Sequence, residues 1–146
     1  MMHHTSTHKT AFFQACAAGR KRRQHVQSAA TVSKGAHLNW DYPHAHTLPV
    51  TPEAGDIDGL QHTNNAVYVR WCEHIAWHHS AILGLDLDDY RRLDRAMAIR
   101  RGEYDYLLPT RAGEALTLAT WLCASDGRSS MERRFQLVRD SDGATV

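Results

Sequence analysis

Asp56-Ile57-Asp58-Gly59-Leu60-Gln61-His62-Thr63-Asn64-Asn65-Ala66-Val67-Tyr68-Val69-Arg70-Trp71 is the stretch whose reading decides the fold. It sets two carboxylates and an imidazole in a glycine-bearing loop and then begins a helix. Val67, Trp71, Ile75 and Ile82, with Tyr68, Cys72 and His79, recur near i, i+4 and i+7. That spacing predicts a helix over 64–83 with one apolar stripe. Asn64 reads as its N-cap, because the side-chain oxygen can accept a backbone N–H of the first turn. Gly84 reads as the residue past its C-terminus.

Outward from this helix the period changes. Residues 44–51 read as a first strand with Leu48 and Val50 on one face, and 52–63 as a loop. After the helix, 96–107 is a strand candidate, 109–114 a turn and 115–124 a strand on which Leu116, Leu118, Thr120 and Leu122 share a face. Asp126-Gly127 signals a hairpin, and Met131, Phe135 and Leu137 alternate on the next strand with Arg133 between them. Asp142-Gly143 announces one more hairpin. Strand, loop, long helix and then antiparallel strands make an α+β domain with the helix on one face of the sheet. The uncovered face or an edge then calls for a second subunit.

The length of 146 residues allows one domain. Residues 1–36 show no sustained period and read as a disordered or non-native tail, leaving 37–146 as the folded domain. The apolar segment from Ala11 to Ala18 precedes the basic cluster Arg20-Lys21-Arg22-Arg23, the reverse of a secretory leader, while its poverty in acids leaves a transit-like leader open. A formal charge of +1 argues against a nucleic-acid binder. No apolar run approaches the roughly 18 residues that a membrane span needs. Cys16, Cys72 and Cys123 stand far apart, which suggests reduced thiols and a cytoplasmic setting. His74 and His78 lie four apart beside Glu73, but no third ligand is evident, so neither a metal nor an organic cofactor is expected.

The decisive stretch also carries chemistry. A helix start offers N–H groups without intrahelical acceptors and the positive end of the macrodipole, which suits a carbonyl oxygen that becomes an oxyanion. A nearby carboxylate can activate water or attack the carbonyl carbon itself. Such equipment is thin for an amide. It suffices in principle for a thioester, whose leaving thiolate belongs to a thiol of pKa roughly 8 to 9. No G-x-S-x-G nucleophile motif is present.

The pattern D-x-D-x-x-x-H-x-N-N-x-x-Y-x-x-W before a long helix resembles the bacterial hotdog-fold acyl-CoA thioesterases similar to 4-hydroxybenzoyl-CoA thioesterase. The run Glu103-Tyr104-Asp105-Tyr106-Leu107-Leu108-Pro109-Thr110-Arg111-Ala112-Gly113-Glu114 also resembles the family's strand and turn. The resemblance covers about 47–143. It implies a hotdog fold, an antiparallel sheet wrapped round one long helix, assembled as a homodimer or homotetramer with active sites at the subunit interface. It implies an acyl-CoA or acyl carrier protein thioester as substrate, Asp58 as the catalytic carboxylate, and the backbone N–H near Asn65 as oxyanion donor. His62 matches the motif histidine, which would order the loop or polarise the carbonyl.

Two departures accompany the resemblance. Gln61 stands where a glycine often precedes the histidine, and the final strand of the fold is missing after Gly143, which would leave an unpaired edge beside the 129–139 strand.

Each residue also has a plainer reading. Asp58 could cap the following helix, Asp56 reads as structural, Asn64 as a cap, and Tyr68 with Trp71 and Trp77 as core or as walls of an acyl pocket. Arg91, Arg92, Arg95, Arg100 and Arg101 could meet the phosphates of coenzyme A or form a solvated face balanced by Asp88, Asp89 and Asp94. The rival from another class is a non-catalytic or truncated hotdog domain acting as a binding or assembly module.

Overall fold

A computed structural model describes residues 11–14 and 38–146. The elements run β1 (Ala11–Gln14), β2 (His46–Val50), a 3-10 turn (Ala54–Asp56), α1 (Asn65–Ile82), α2 (Leu87–Leu93), β3 (Ala98–Gly102), β4 (Leu116–Ser125) and β5 (Met131–Arg139). The strands form one antiparallel sheet in the order β2-β4-β5-β1-β3, with α1 packed on β4 and β2. This is the expected α+β, hotdog-like arrangement.

The helix follows from its ends as much as from its stripe. Asn64 Oδ1 accepts the Ala66 N–H at 2.9 Å, and Asn64 is the N-cap. At the other end Leu85 N donates to Ser80 O at 2.9 Å and Gly84 N to Ala81 O at 3.0 Å. This six-to-one and five-to-two pair needs a left-handed residue, and Gly84 supplies it at φ +84°. Between these ends Val67, Cys72, Ile75, Ala76 and Ser80 are buried. The buried stripe runs through Cys72, Ala76 and Ser80, so Ile82, expected in the core, is 63% exposed.

The core proper is Cys72 and Ile75 of α1 against Leu116 and Leu118 of β4, Leu137 of β5 and Val146, with Leu48, Val50 and Phe135 packed round it. Arg133, on the same face of β5, is only 1% exposed. Leu122 departs from expectation. A bulge between Leu122 and Ala124 breaks the alternation of β4, and Leu122 is 41% exposed. Asp126-Gly127 opens a connection longer than two residues, closed by Asp126 Oδ1 accepting the N–H groups of Arg128, Ser129 and Ser130. The short helix α2 was not expected. Its capping box, Asp86 with Asp89, is legible in the sequence but stands before too few periodic residues to announce a helix.

The edge of β5 is where the structure departs most from the sequence reading. Instead of an unpaired edge, β5 meets two pieces of chain. Past the turn at Gly143, Thr145 bridges Val138 and Val146 N donates to Leu137 O at 3.0 Å, so the announced turn folds the chain back on to β5 through an isolated bridge. Further along, Ala11, Phe12 and Phe13 pair with Arg133, Glu132 and Met131. Ala11–Gln14, assigned by the sequence reading to the tail, thus bridges β5 and β3. Backbone N–H and C=O groups along an edge drive such pairing whatever the side chains. The remainder of the expected tail lies outside the described residues.

Candidate active site

The loop before α1 is built from its own carboxylates. Asp56 Oδ2 accepts the Glu53 N–H at 3.0 Å, and Asp56 also pairs with Arg70 of α1. The Glu53 bond first, and then the Arg70 partner, hold the Asp56 carboxyl below the usual carboxylate range. The Asp56 carbonyl accepts the Asn64 N–H at 2.8 Å. Asp56 therefore fastens the loop to the helix, matching its structural reading.

Asp58 closes the next turn. Its Oδ1 accepts from Leu60 N at 2.8 Å and from His62 N at 3.3 Å, while Asp58 N donates to His62 O at 2.8 Å. Asp58 and His62 are thus brought together through the backbone. Both side-chain bonds fall on Oδ1, and Asp58 and His62 are half-buried. Within this turn Gln61 adopts φ +63°, the left-handed conformation that glycine takes without cost. The departure at Gln61 keeps the backbone shape that a glycine would give.

Asn65 opens α1 and is exposed. Asn64 Oδ1 takes the Ala66 N–H and Asn64 O the Val67 N–H at 2.9 Å, and helix geometry gives the Asn65 N–H no intrahelical acceptor. Asn64 is a cap in the structure. The Asn65 carbonyl accepts from the Tyr106 hydroxyl at 3.3 Å.

A hydroxyl relay, not foreseen in the sequence, ties this helix mouth to the segment after β3. The Tyr68 hydroxyl lies 2.7 Å from Thr110 Oγ1, which donates to Thr63 Oγ1 at 2.7 Å, and Thr63 Oγ1 in turn donates to Thr110 O at 3.2 Å. Thr63 N also donates to Thr110 O at 2.8 Å. Thr110 and Thr63 are buried. The sequence held only a weak signal, a threonine after Pro109 and another before the Asn64 cap, with nothing to pair positions so far apart.

Beside the relay lies an apolar cavity of about 50 Å³, partly open to solvent. Tyr68, Trp71, Tyr104, Tyr106 and Phe135 supply aromatic walls, with Leu118 and Leu137 of the sheet among the remaining lining. Burial pushes the Tyr104 and Tyr106 hydroxyls up from their ordinary values. Tyr68 therefore faces both the relay and the cavity. Asp58, His62, Asn64 and Asn65 lie outside the cavity walls, in the loop and first turn that Tyr68 and Tyr106 adjoin.

Elsewhere the expected candidates separate. Arg91, Arg92 and Arg101 pair with Asp88, Asp89 and Glu103 respectively. His78 leaves His74 for His46, whose Nε2 stands 2.8 Å from His78 Nδ1. Among the described residues no three His, Cys, Asp or Glu side chains converge as a metal site requires. None of the described helices is long and apolar enough to cross a membrane.

Comparison with known proteins fits this geometry. No curated protein and no solved structure matches the chain. One family model does, over residues 52–146, a span that takes in the Asp58 loop, α1, the Thr110 segment and the strands β3 to β5. The chain belongs to the thioesterase-like superfamily.

Proposed function

We propose that this protein is an acyl-CoA thioesterase, similar to the 4-hydroxybenzoyl-CoA thioesterases, which hydrolyses a thioester of coenzyme A or acyl carrier protein to the free acid and a thiol. The observation that carries the reading is the Asp58 turn, closed on His62 and leading through the Asn64 cap to the exposed Asn65 amide, with an apolar cavity at Tyr68 and Tyr106 beside it. In this reading the thioester oxygen takes the Asn65 N–H and the positive end of the α1 dipole. The free oxygen of Asp58 draws the proton from a water that adds to the carbonyl carbon, or adds to that carbon itself to give an anhydride that water then opens. In either course the carbon–sulfur bond breaks and the thiolate leaves. His62 keeps the turn closed through its backbone, or polarises the carbonyl with its imidazole. Asn64 sets the direction of the first turn, and Tyr68 forms the wall on which the acyl group lies. The protein would work in the cytoplasm as a homodimer or homotetramer, needing neither metal nor organic cofactor.

The experiment is release of thiol from a panel of acyl-CoAs by the parent and by Asp58→Asn. Asparagine keeps an Oδ1 for the Leu60 and His62 amides, so the turn survives while the charge goes. The loss expected of a base or nucleophile is on the order of 10² or more in kcat. An Asp58→Asn protein as active as the parent would remove Asp58 from the reaction.

The second reading is a non-catalytic binding or assembly module. What favours it is that Asp58 Oδ1 is already spent on two loop amides, as a purely structural aspartate would be. Tight binding of acyl-CoA without thiol release, by a folded parent chain, is the result that selects it.

A further inference from the structure

The cavity at the helix mouth has a particular floor. Tyr104 lays its ring against the backbone of Gly102, the last residue of β3: a Cβ placed on Gly102 would stand 2.8 Å from Tyr104 Cε2 and 3.0 Å from its hydroxyl. No residue but glycine leaves the ring that seat. The ring is half-buried and packs against the Cys72 and Leu137 core while also lining the cavity. Tyr104 is thus wedged between the sheet and the helix. With the ring in that seat the space left beside Tyr68 and Tyr106 is about 50 Å³.

That volume is small. A cavity that accepts benzene measures about 150 Å³. In the measure that gives 50 Å³ a water needs about 10–15 Å³, so the space holds roughly three to five groups of that size, with a few more where it opens. Glu103 and Asp105 are among the residues that line it. Glu103 is paired with Arg101, and Asp105 is the second acidic residue of the lining. A terminal carboxylate on the acyl group would meet like charge there.

We infer that the cavity floored by Tyr104 on Gly102 is the acyl site, and that it selects short, uncharged, non-aromatic acyl groups of roughly two to four carbons. The inference rests on the thioesterase reading above, which by itself says nothing of chain length. It also sets Tyr104 as the residue that determines specificity through depth, and Gly102 as the residue that permits its position.

The test is the kcat/KM profile of the parent chain over acetyl-, butanoyl-, hexanoyl-, octanoyl-, benzoyl- and succinyl-thioesters, each carried on coenzyme A and on acyl carrier protein. The expected profile is highest at acetyl or butanoyl and falls about tenfold or more by octanoyl, benzoyl and succinyl, the rate penalty of roughly 1.4 kcal/mol. Tyr104→Ala should move the optimum to hexanoyl or beyond, and Tyr104→Phe should keep the parent profile. Gly102→Ala, which pushes the ring off its seat and into the space, should lower butanoyl turnover several-fold more than acetyl turnover. A parent that prefers octanoyl, benzoyl or succinyl overturns the inference and leaves the thioesterase reading standing. So does a folded Tyr104→Ala chain with an unchanged profile. If Tyr104→Ala does not fold, the parent profile and Gly102→Ala decide the matter. Absence of thiol release from every substrate on both carriers overturns the thioesterase reading and this inference with it.

Discussion

Arg133 Nη1 stands 3.0 Å from His79 Nδ1, and the same nitrogen donates to Thr120 Oγ1 at 3.2 Å. A guanidinium that is 1% exposed thus sits against an imidazole of α1. His46 of β2 stacks on His79 with ring centroids 4.6 Å apart, and His78 joins from the next helical position. Burial first, and then the Arg133 charge and the neighbouring imidazoles, hold His79 down to about 4. Burial, His78 and Arg133 lower His46 in the same direction.

Stability should therefore fall as acid is added. Unfolded, His79 takes its proton near pH 6.5, while the folded protein resists until about 4. Between these values the unfolded chain binds more protons, so stability is full above pH 6.5 and declines as pH drops toward 4. His79 is only partly buried, and solvent screening reduces its share of the loss to on the order of 1–2 kcal/mol. Urea midpoints measured from pH 7.5 to 4.5 should slope less for His79→Asn than for the parent. Parallel slopes would mean that carboxylates, not this cluster, set the acid limit.

The cluster also shows how far the sequence could be read. His79 lies on the apolar stripe and Arg133 among the inward residues of β5, so each is placed on the core face by periodicity alone. That they touch depends on how α1 lies across the sheet, which no period records. The same division runs through the site. Local features were legible: the Asn64 cap and the Gly84 stop both follow from residues acting within a few positions of themselves. The Tyr68–Thr110–Thr63 relay and the seat of Tyr104 on Gly102 were not, because the first joins distant segments and the second depends on an absent side chain. Pairing of Ala11–Gln14 with β5 was hidden for another reason. Edge pairing draws on backbone groups that every sequence carries, and four residues are too few to show a period.

Loss of the Asn64 cap should be felt twice. Asn64→Ala frees the Ala66 N–H and costs about 1 kcal/mol of stability, within the range of roughly 0.5–2 for such caps. The first turn also carries the Asn65 amide, so kcat on the preferred thioester should fall while KM changes little. Asn64→Ser, another good cap, should restore both. A stability loss with kcat untouched would detach the cap from the reaction.

Thr110 holds the helix mouth through its hydroxyl. Thr110→Val keeps the shape but takes from the half-buried Tyr68 hydroxyl its partner and from the Thr63 hydroxyl its donor, while Thr63 keeps its bond to the Thr110 carbonyl, at a cost of about 1–3 kcal/mol. Thr110→Ser retains the Oγ1 and should recover most of that loss. The comparison is made by chemical denaturation, with Tyr68→Phe as a third arm. If Thr110→Val and Tyr68→Phe are additive when combined, the relay is not a unit, since groups in one hydrogen-bond network couple by about 0.5 kcal/mol or more.

Gln61 is one place where this chain gives up stability, as His44 and Asp94 also adopt positive φ. At φ +63° it holds a left-handed backbone that costs an L-residue about 1–2 kcal/mol, and its neighbours on both sides are fixed by Asp58. Gln61 is exposed, so its side chain has little packing to lose. Gln61→Gly removes the steric cost but adds conformational freedom to the unfolded chain, which takes back about 0.5–1 kcal/mol. The net expectation is a gain of roughly 0.5–1 kcal/mol, with kcat unchanged because the turn keeps its shape. Gln61→Val tests the converse: a β-branched residue is poorly tolerated in this conformation and should destabilise the protein and disturb the Asp58 turn together. Should Gln61→Gly prove less stable than the parent, the left-handed turn is not the native state of the loop, and the placement of Asp58 beside the helix mouth falls with it.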